Sequence, residues 1–177
     1  CNPFYHQIVP IVEDYMNQIH ALTGRSYGLF RYYGAQDAEY VVVAMGSVCG
    51  TIEETVDYFN EKGEKYGVLE VHLFRPFSAV HFLKAMPKTV KRIAVLDRTK
   101  EPGALGEPLD LDVRSCYYGM EHAPVVIGGR YGLGSKDTTP AHIAAVFDNL
   151  KSASPKERFT VGIYDDVTYT SLPPAQK

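Results

Sequence analysis

Cysteine is scarce in this sequence, and the little there is does not cluster. Cys1, Cys49 and Cys116 are odd in number and far apart. That argues against a disulfide framework and fits a reducing compartment, the cytoplasm. No CxxC occurs, so the chain offers no thiolate set for zinc or an iron–sulfur cluster. Its six histidines form neither HxH nor HExxH. Excess positive charge is also missing: the formal net charge is −3, which argues against broad electrostatic binding to nucleic acid. No apolar run reaches the roughly 20 residues that span a bilayer. The first twenty residues hold Glu13, Asp14 and two histidines without a continuous apolar core, so no signal peptide is read there. What remains is 177 residues, 45% hydrophobic and 22% charged, enough for one soluble domain with a sizeable core.

The strongest local pattern is Val41-Val-Val-Ala-Met-Gly-Ser-Val-Cys-Gly-Thr51. A β-branched run stops at Gly46-Ser47, and Thr51 with Glu54 three residues on predicts a capping box opening a helix over 52–62. Ile52, Val56 and Phe59 share one face of it. A buried strand feeding a helix through a Gly turn is the start of a βαβ unit. Apolar spacing of three and four predicts a helix over 3–23, stopped at Gly24 and kinked or divided at Pro10. Residues 27–37 are aromatic and Gly-containing and read as irregular. Further strands are expected at 68–74, 92–97, 125–127 and 159–164. Ser78 is expected to cap a helix through Met86, and Thr139-Pro140 to open one to Leu150. A helix is expected within 98–123, where Leu105, Leu109, Val113 and Cys116 keep helical spacing. This alternation predicts an α/β three-layer sandwich on a mostly parallel five-stranded sheet. The spacing around the fourth strand leaves room for one antiparallel edge strand.

Gly128-Gly-Arg-Tyr-Gly-Leu-Gly-Ser-Lys136 is the most Gly-rich segment, between a strand and a helix. It matches neither a Walker A loop nor GxGxxG. It reads first as a tight structural or interdomain turn, and second as a place where backbone N–H groups meet a phosphate. Gly129, Arg130, Gly132, Gly134, Ser135 and Lys136 are accordingly the candidate contact residues, with Arg130 and Lys136 supplying positive charge. Cys49 reads as a small buried side chain before a thiol of lowered pKa. Lys84, Lys88, Lys91, Arg92, Arg98 and Lys100 read as a solvated face before an electropositive rim. Arg75 is read as pinning a loop or a carboxylate from another domain, and Asp165-Asp166 as loop capping. The Gly-Asp-Gly…Asn pattern that holds a metal–diphosphate is absent, so no independent catalytic residue is assigned.

Several long phrases occur in order: Gly28-Leu-Phe30 with Tyr33-Gly-Ala35, Val43-Ala-Met-Gly-Ser-Val-Cys49, Thr51-Ile-Glu-Glu-Thr-Val-Asp-Tyr58, Phe74-Arg-Pro-Phe77, Val95-Leu-Asp-Arg-Thr-Lys-Glu-Pro-Gly103, the Gly128–Asp137 segment, and Phe159-Thr-Val-Gly-Ile163 with Asp165-Asp-Val-Thr168. With them the chain resembles the second domain of pyruvate:ferredoxin (flavodoxin) oxidoreductases, whose fold is like the transketolase C-terminal domain. The resemblance implies a parent enzyme that oxidatively decarboxylates pyruvate with coenzyme A. Such enzymes use thiamine diphosphate, Mg²⁺ and iron–sulfur clusters, and pass electrons to ferredoxin or flavodoxin. It also implies that those cofactors sit on other domains of the same polypeptide, and that the parent is a homodimer. A start at Cys1-Asn2-Pro3 reads as an excised segment. The expected division is an N-terminal helix and lead-in over 1–39, the α/β domain over 40–167 and a linker over 168–177. The alternative is a phosphate- or coenzyme A-contacting module of the same fold.

Overall fold

Val41, Val42 and Val43 are all fully buried, which requires cover on both faces of their strand. The computed structural model describes residues 2–164 and 167–176. The central strand β2 (Tyr40–Ala44) lies between β3 (Tyr66–Val71) and β4 (Arg92–Asp97), parallel to both. Parallel pairing continues through β5 (Val125–Arg130), β6 (Phe159–Val161) and β7 (Ser171–Leu172). At the other margin β1 (Phe30–Gly34) runs antiparallel to β3. The sheet order is β1-β3-β2-β4-β5-β6-β7.

Two layers of helix close the sandwich, as expected. On one face, α2 (Val48–Asn60) and α5 (Pro140–Lys151) cover Val42, Val68, Ala94 and Ile127 through Ile52, Val56, Val146 and Phe147. Tyr66 and Phe147 stack there, ring centroids 4.1 Å apart. On the other face, α3 (Ala79–Ala85) and α4 (Pro108–Tyr117) cover Val41, Val43, Ile93 and Val95 through Phe82, Leu109 and Val113. The first helix, α1 (Asn2–Thr23), lies outside these layers and adds Val9, Val12 and Met16 to the second cluster.

The structure corrects several expectations. Among the described residues the sheet has seven strands, not five. The antiparallel strand is β1, inside the segment read as irregular, where Arg31 bridges Glu70 of β3 at 2.7 Å and Glu53 of α2 at 2.6 Å. Segment 168–177 is no mere linker, since β7 joins the sheet, Leu172 is buried and the Ala175 N–H donates to the Ala141 carbonyl. The boundary at 39/40 likewise falls between two strands of one sheet. Pro10 sits inside an unbroken α1. Pro10 and His6 are both exposed, so the carbonyl deprived of a partner meets water. Gly46, at φ +80°, turns the chain so sharply that α2 starts at Val48. Thr51 is therefore inside the helix and forms no capping box. Leu105 lies before α4 and is exposed. Asp165-Asp166 fall outside the described residues.

Candidate functional site

Every parallel strand points its carboxyl end to one edge of the sheet, where open α/β folds gather their ligand-binding loops. The Gly-rich segment reaches that edge in two distinct parts. Its first part belongs to β5. A Cβ on Gly128 would stand 2.7 Å from the Asp110 carboxylate, and one on Gly129 would stand 2.2 Å from the Phe159 ring. These glycines are required by packing inside the chain's own core. Arg130 is buried as well. Its Nε donates to Glu107 Oε1 at 2.7 Å and its Nη1 to the Arg158 carbonyl at 3.1 Å. Gly132, at φ +62°, is held against the Arg98 side chain.

The second part faces solvent. Gly134 (φ +61°) and Ser135 (φ +58°) both adopt left-handed backbone in a 3₁₀ turn over Leu133–Ser135, and Lys136 follows, exposed. A Cβ on Gly134 would meet nothing within 4 Å. Of the six candidate contact residues, then, Gly129, Arg130 and Gly132 serve the interior. Gly134, Ser135 and Lys136 are presented outward. The first three positions are committed to packing and to a buried ion pair, which leaves only the last three turned to where a ligand or another domain could meet them.

Beneath the segment lies a set of acids that sequence spacing did not reveal. Asp97, at the end of β4, accepts the backbone N–H groups of Leu109 at 3.0 Å and Asp110 at 3.1 Å, closing the N-terminal turn of α4. Burial pushes its carboxyl up to about 6, against the opposing effect of those two hydrogen bonds. Asp110 is also pushed up by burial, and its Oδ1 accepts from Arg114 Nε at 2.8 Å. Glu107 Oε2 and Asp110 Oδ2 are buried without a hydrogen-bond partner among the described residues. The one local hint was Glu107-Pro108, a carboxylate just before a helix-starting proline.

Other candidates resolve individually. Burial pushes the Cys49 thiol up to about 12, so Cys49 is an inert core side chain. Arg75 pairs with Asp112 of α4 at 2.5 Å, within the same domain. In the basic stretch, Lys91 pairs with Glu39 at 2.8 Å and Arg92 donates to the carbonyls of Leu150 and Ser152 at 2.6 Å each. His142 takes the place usually held by Glu or Gln in the cap of α5: its Nδ1 accepts from the Thr139 N–H at 3.2 Å and its Nε2 lies 2.9 Å from the Tyr164 hydroxyl. Burial lowers its pKa.

A cleft of about 530 Å³ opens beside the segment, lined among others by Lys100, Arg130, Leu133, Arg158, Thr160 and Ile163. Among the described residues no three His, Cys, Asp or Glu side chains are gathered to hold a metal ion. A metal–diphosphate needs carboxylate oxygens turned outward. Asp97, Glu107 and Asp110 are instead turned inward, onto α4, Arg130 and Arg114. These residues do not fit thiamine diphosphate with Mg²⁺.

Residues 38–143 match the family described as pyruvate:ferredoxin oxidoreductase core domain II. The chain belongs to that family. It is 62% identical over 176 residues to the pyruvate-flavodoxin oxidoreductase of Klebsiella pneumoniae, and 61% identical over 173 residues to the pyruvate:ferredoxin oxidoreductase of Moorella thermoacetica. These alignments take in 99% and 97% of this chain but 15% of each relative's length. The core domain II chain is thus similar to a small part of much larger proteins. Its fold is shared with a 2-oxoglutarate:ferredoxin oxidoreductase of Magnetococcus marinus, whose structure holds 2-oxoglutarate, coenzyme A and succinyl-CoA. The TM-score is 0.52 at 17% identity, over 76% of this chain and 21% of the other. At that identity the likeness concerns the fold alone. No helix among the described residues is long and apolar enough to cross a membrane.

Proposed function

We propose that this chain is a non-catalytic structural and assembly domain of a pyruvate:ferredoxin (flavodoxin) oxidoreductase. In this reading the parent enzyme is cytoplasmic, oxidatively decarboxylates pyruvate with coenzyme A to acetyl-CoA, and reduces ferredoxin or flavodoxin. Thiamine diphosphate, Mg²⁺ and the iron–sulfur clusters belong to its other domains, and the parent is a homodimer. One observation carries the proposal: 62% identity along 99% of the chain, confined to 15% of the relative's length. The inward commitment of the Arg130, Glu107 and Asp97 side chains supports a scaffolding role. The test is the full-length protein containing this sequence. It should reduce ferredoxin or flavodoxin in the presence of pyruvate and coenzyme A, and absence of any pyruvate-dependent reduction would overturn the proposal.

A second reading rests on the outward, left-handed Gly134-Ser135 turn next to Lys136 and the cleft. Here the domain contacts a phosphate of coenzyme A. Calorimetry of the chain with coenzyme A separates the two. Heat of binding that disappears in Lys136→Ala favours contact, whereas no heat leaves scaffolding alone.

A further inference from the structure

Helix α1 carries two apolar stripes, and the domain uses one of them. Val9, Val12 and Met16 pack onto the body beside α3, and Glu13 reaches His81 at 3.3 Å. Phe4, Ile8, Ile11, Tyr15, Ile19 and Leu22 recur at spacings of four, three, four, four and three. On a helix of 3.6 residues per turn they fall within about 80° of one another and run for about 27 Å. Most of this second stripe is open to solvent among the described residues: Phe4 is 76% exposed, Tyr15 62% and Leu22 86%, Ile11 and Ile19 are about half exposed, and Ile8 is partly buried. Side chains of this size, so exposed, leave on the order of 700 Å² of apolar surface, near the area one partner gives to a standard interface and more than a lone domain usually shows.

We infer that this stripe is a docking surface for another domain of the same full-length polypeptide, through an apolar face bordered by Lys or Arg. The inference rests on the parent-enzyme reading proposed above. Three observations select this occupant. The chain matches 15% of the length of the Klebsiella pneumoniae relative, so in a parent of that size a covalently linked partner is present at high effective concentration. The core domain II match begins at residue 38, so α1 lies outside the matched segment. The helix has no Lys or Arg between Asn2 and Thr23, and Asp14 flanks the stripe near its midpoint. Two copies of α1 packed antiparallel about a twofold axis would bring Asp14 against its own symmetry mate, whereas a basic rim on a different domain answers that charge.

The test is hydroxyl-radical footprinting of the full-length protein, native and unfolded in guanidinium. Covered side chains predict that Phe4, Tyr15 and Leu22 oxidise at least tenfold more slowly in the native protein. A slowing of less than twofold is what open side chains give, and it would overturn the inference. Protection that vanishes when native protomers are diluted to monomers would assign the stripe to a second copy and overturn the chosen occupant. In full-length Ile11→Glu/Tyr15→Glu, protection at Phe4 and Leu22 should be lost; its retention in a folded protein would also count against the surface. Pyruvate turnover is assayed separately on the same preparation. Protection without turnover keeps the surface and discards the activity, and turnover with an unprotected stripe does the reverse.

Discussion

Removing Arg130 should destabilise this domain severely, although its place in a Gly-rich segment suggests a dispensable surface charge. The Glu107 side chain is 0% exposed and that of Arg130 is 8% exposed, and they meet at 2.7 Å. Glu107 Oε2 already lacks a partner, so Arg130→Ala strips the carboxylate of its only ion pair among the described residues. Breaking a buried pair from one side costs about 3–5 kcal/mol. In a domain of this length each kcal/mol lowers the midpoint by roughly 2–4 °C, so a fall of about 10 °C is expected in thermal unfolding followed by circular dichroism. Glu107→Leu/Arg130→Met, which removes both charges, should recover most of the loss, because a buried pair is often matched by apolar residues of similar volume. A midpoint for Arg130→Ala within 2 °C of the wild type would refute the reasoning and return Arg130 to the role of an outward contact.

Two further outcomes follow from the same site. The raised carboxyl of Asp97, at about 6 against a usual 3.8, keeps a proton in the folded chain where the unfolded chain has released it. Stability should therefore fall by up to about 3 kcal/mol as pH rises from about 4 to about 6 and then level off; urea midpoints across that range check it, and an identical profile in Asp97→Asn would contradict it. Gly129→Ala places a methyl 2.2 Å from the Phe159 ring and should cost about 2 kcal/mol, whereas Gly134→Ala meets open space and pays for its positive φ alone, about 1 kcal/mol. Equal urea midpoints for the two variants would place Gly129 outside the sheet.

The parallel core was legible because its strands are buried on both faces. Val41–Val43 and Ile93–Leu96 are continuous apolar runs, which mark such strands without reference to any partner. β1 was hidden for the opposite reason. Phe30-Arg-Tyr-Tyr-Gly34 is half-exposed, and only its register against β3 and the Arg31 bridge to Glu70 make it a strand. β7, two residues long, has no periodicity to detect. The Gly128–Lys136 segment was recognised as special, but glycine density does not say why glycine is needed. At Gly128 and Gly129 the cause is Asp110 and Phe159, far away in sequence. The Glu107–Arg130 pair spans 23 residues with no spacing rule to connect them. Family membership was legible in the ordered phrases, and the 62% identity to one relative agrees with it.

The central claim, that this domain scaffolds an oxidoreductase without carrying its chemistry, is tested most directly on the purified 177-residue chain. Before any addition the chain should be colourless, without the visible absorbance of thiolate-bound iron–sulfur clusters; supplied then with pyruvate, coenzyme A, thiamine diphosphate, Mg²⁺ and ferredoxin, it should reduce no ferredoxin. A brown protein, or pyruvate-dependent reduction by this chain alone, would contradict the account.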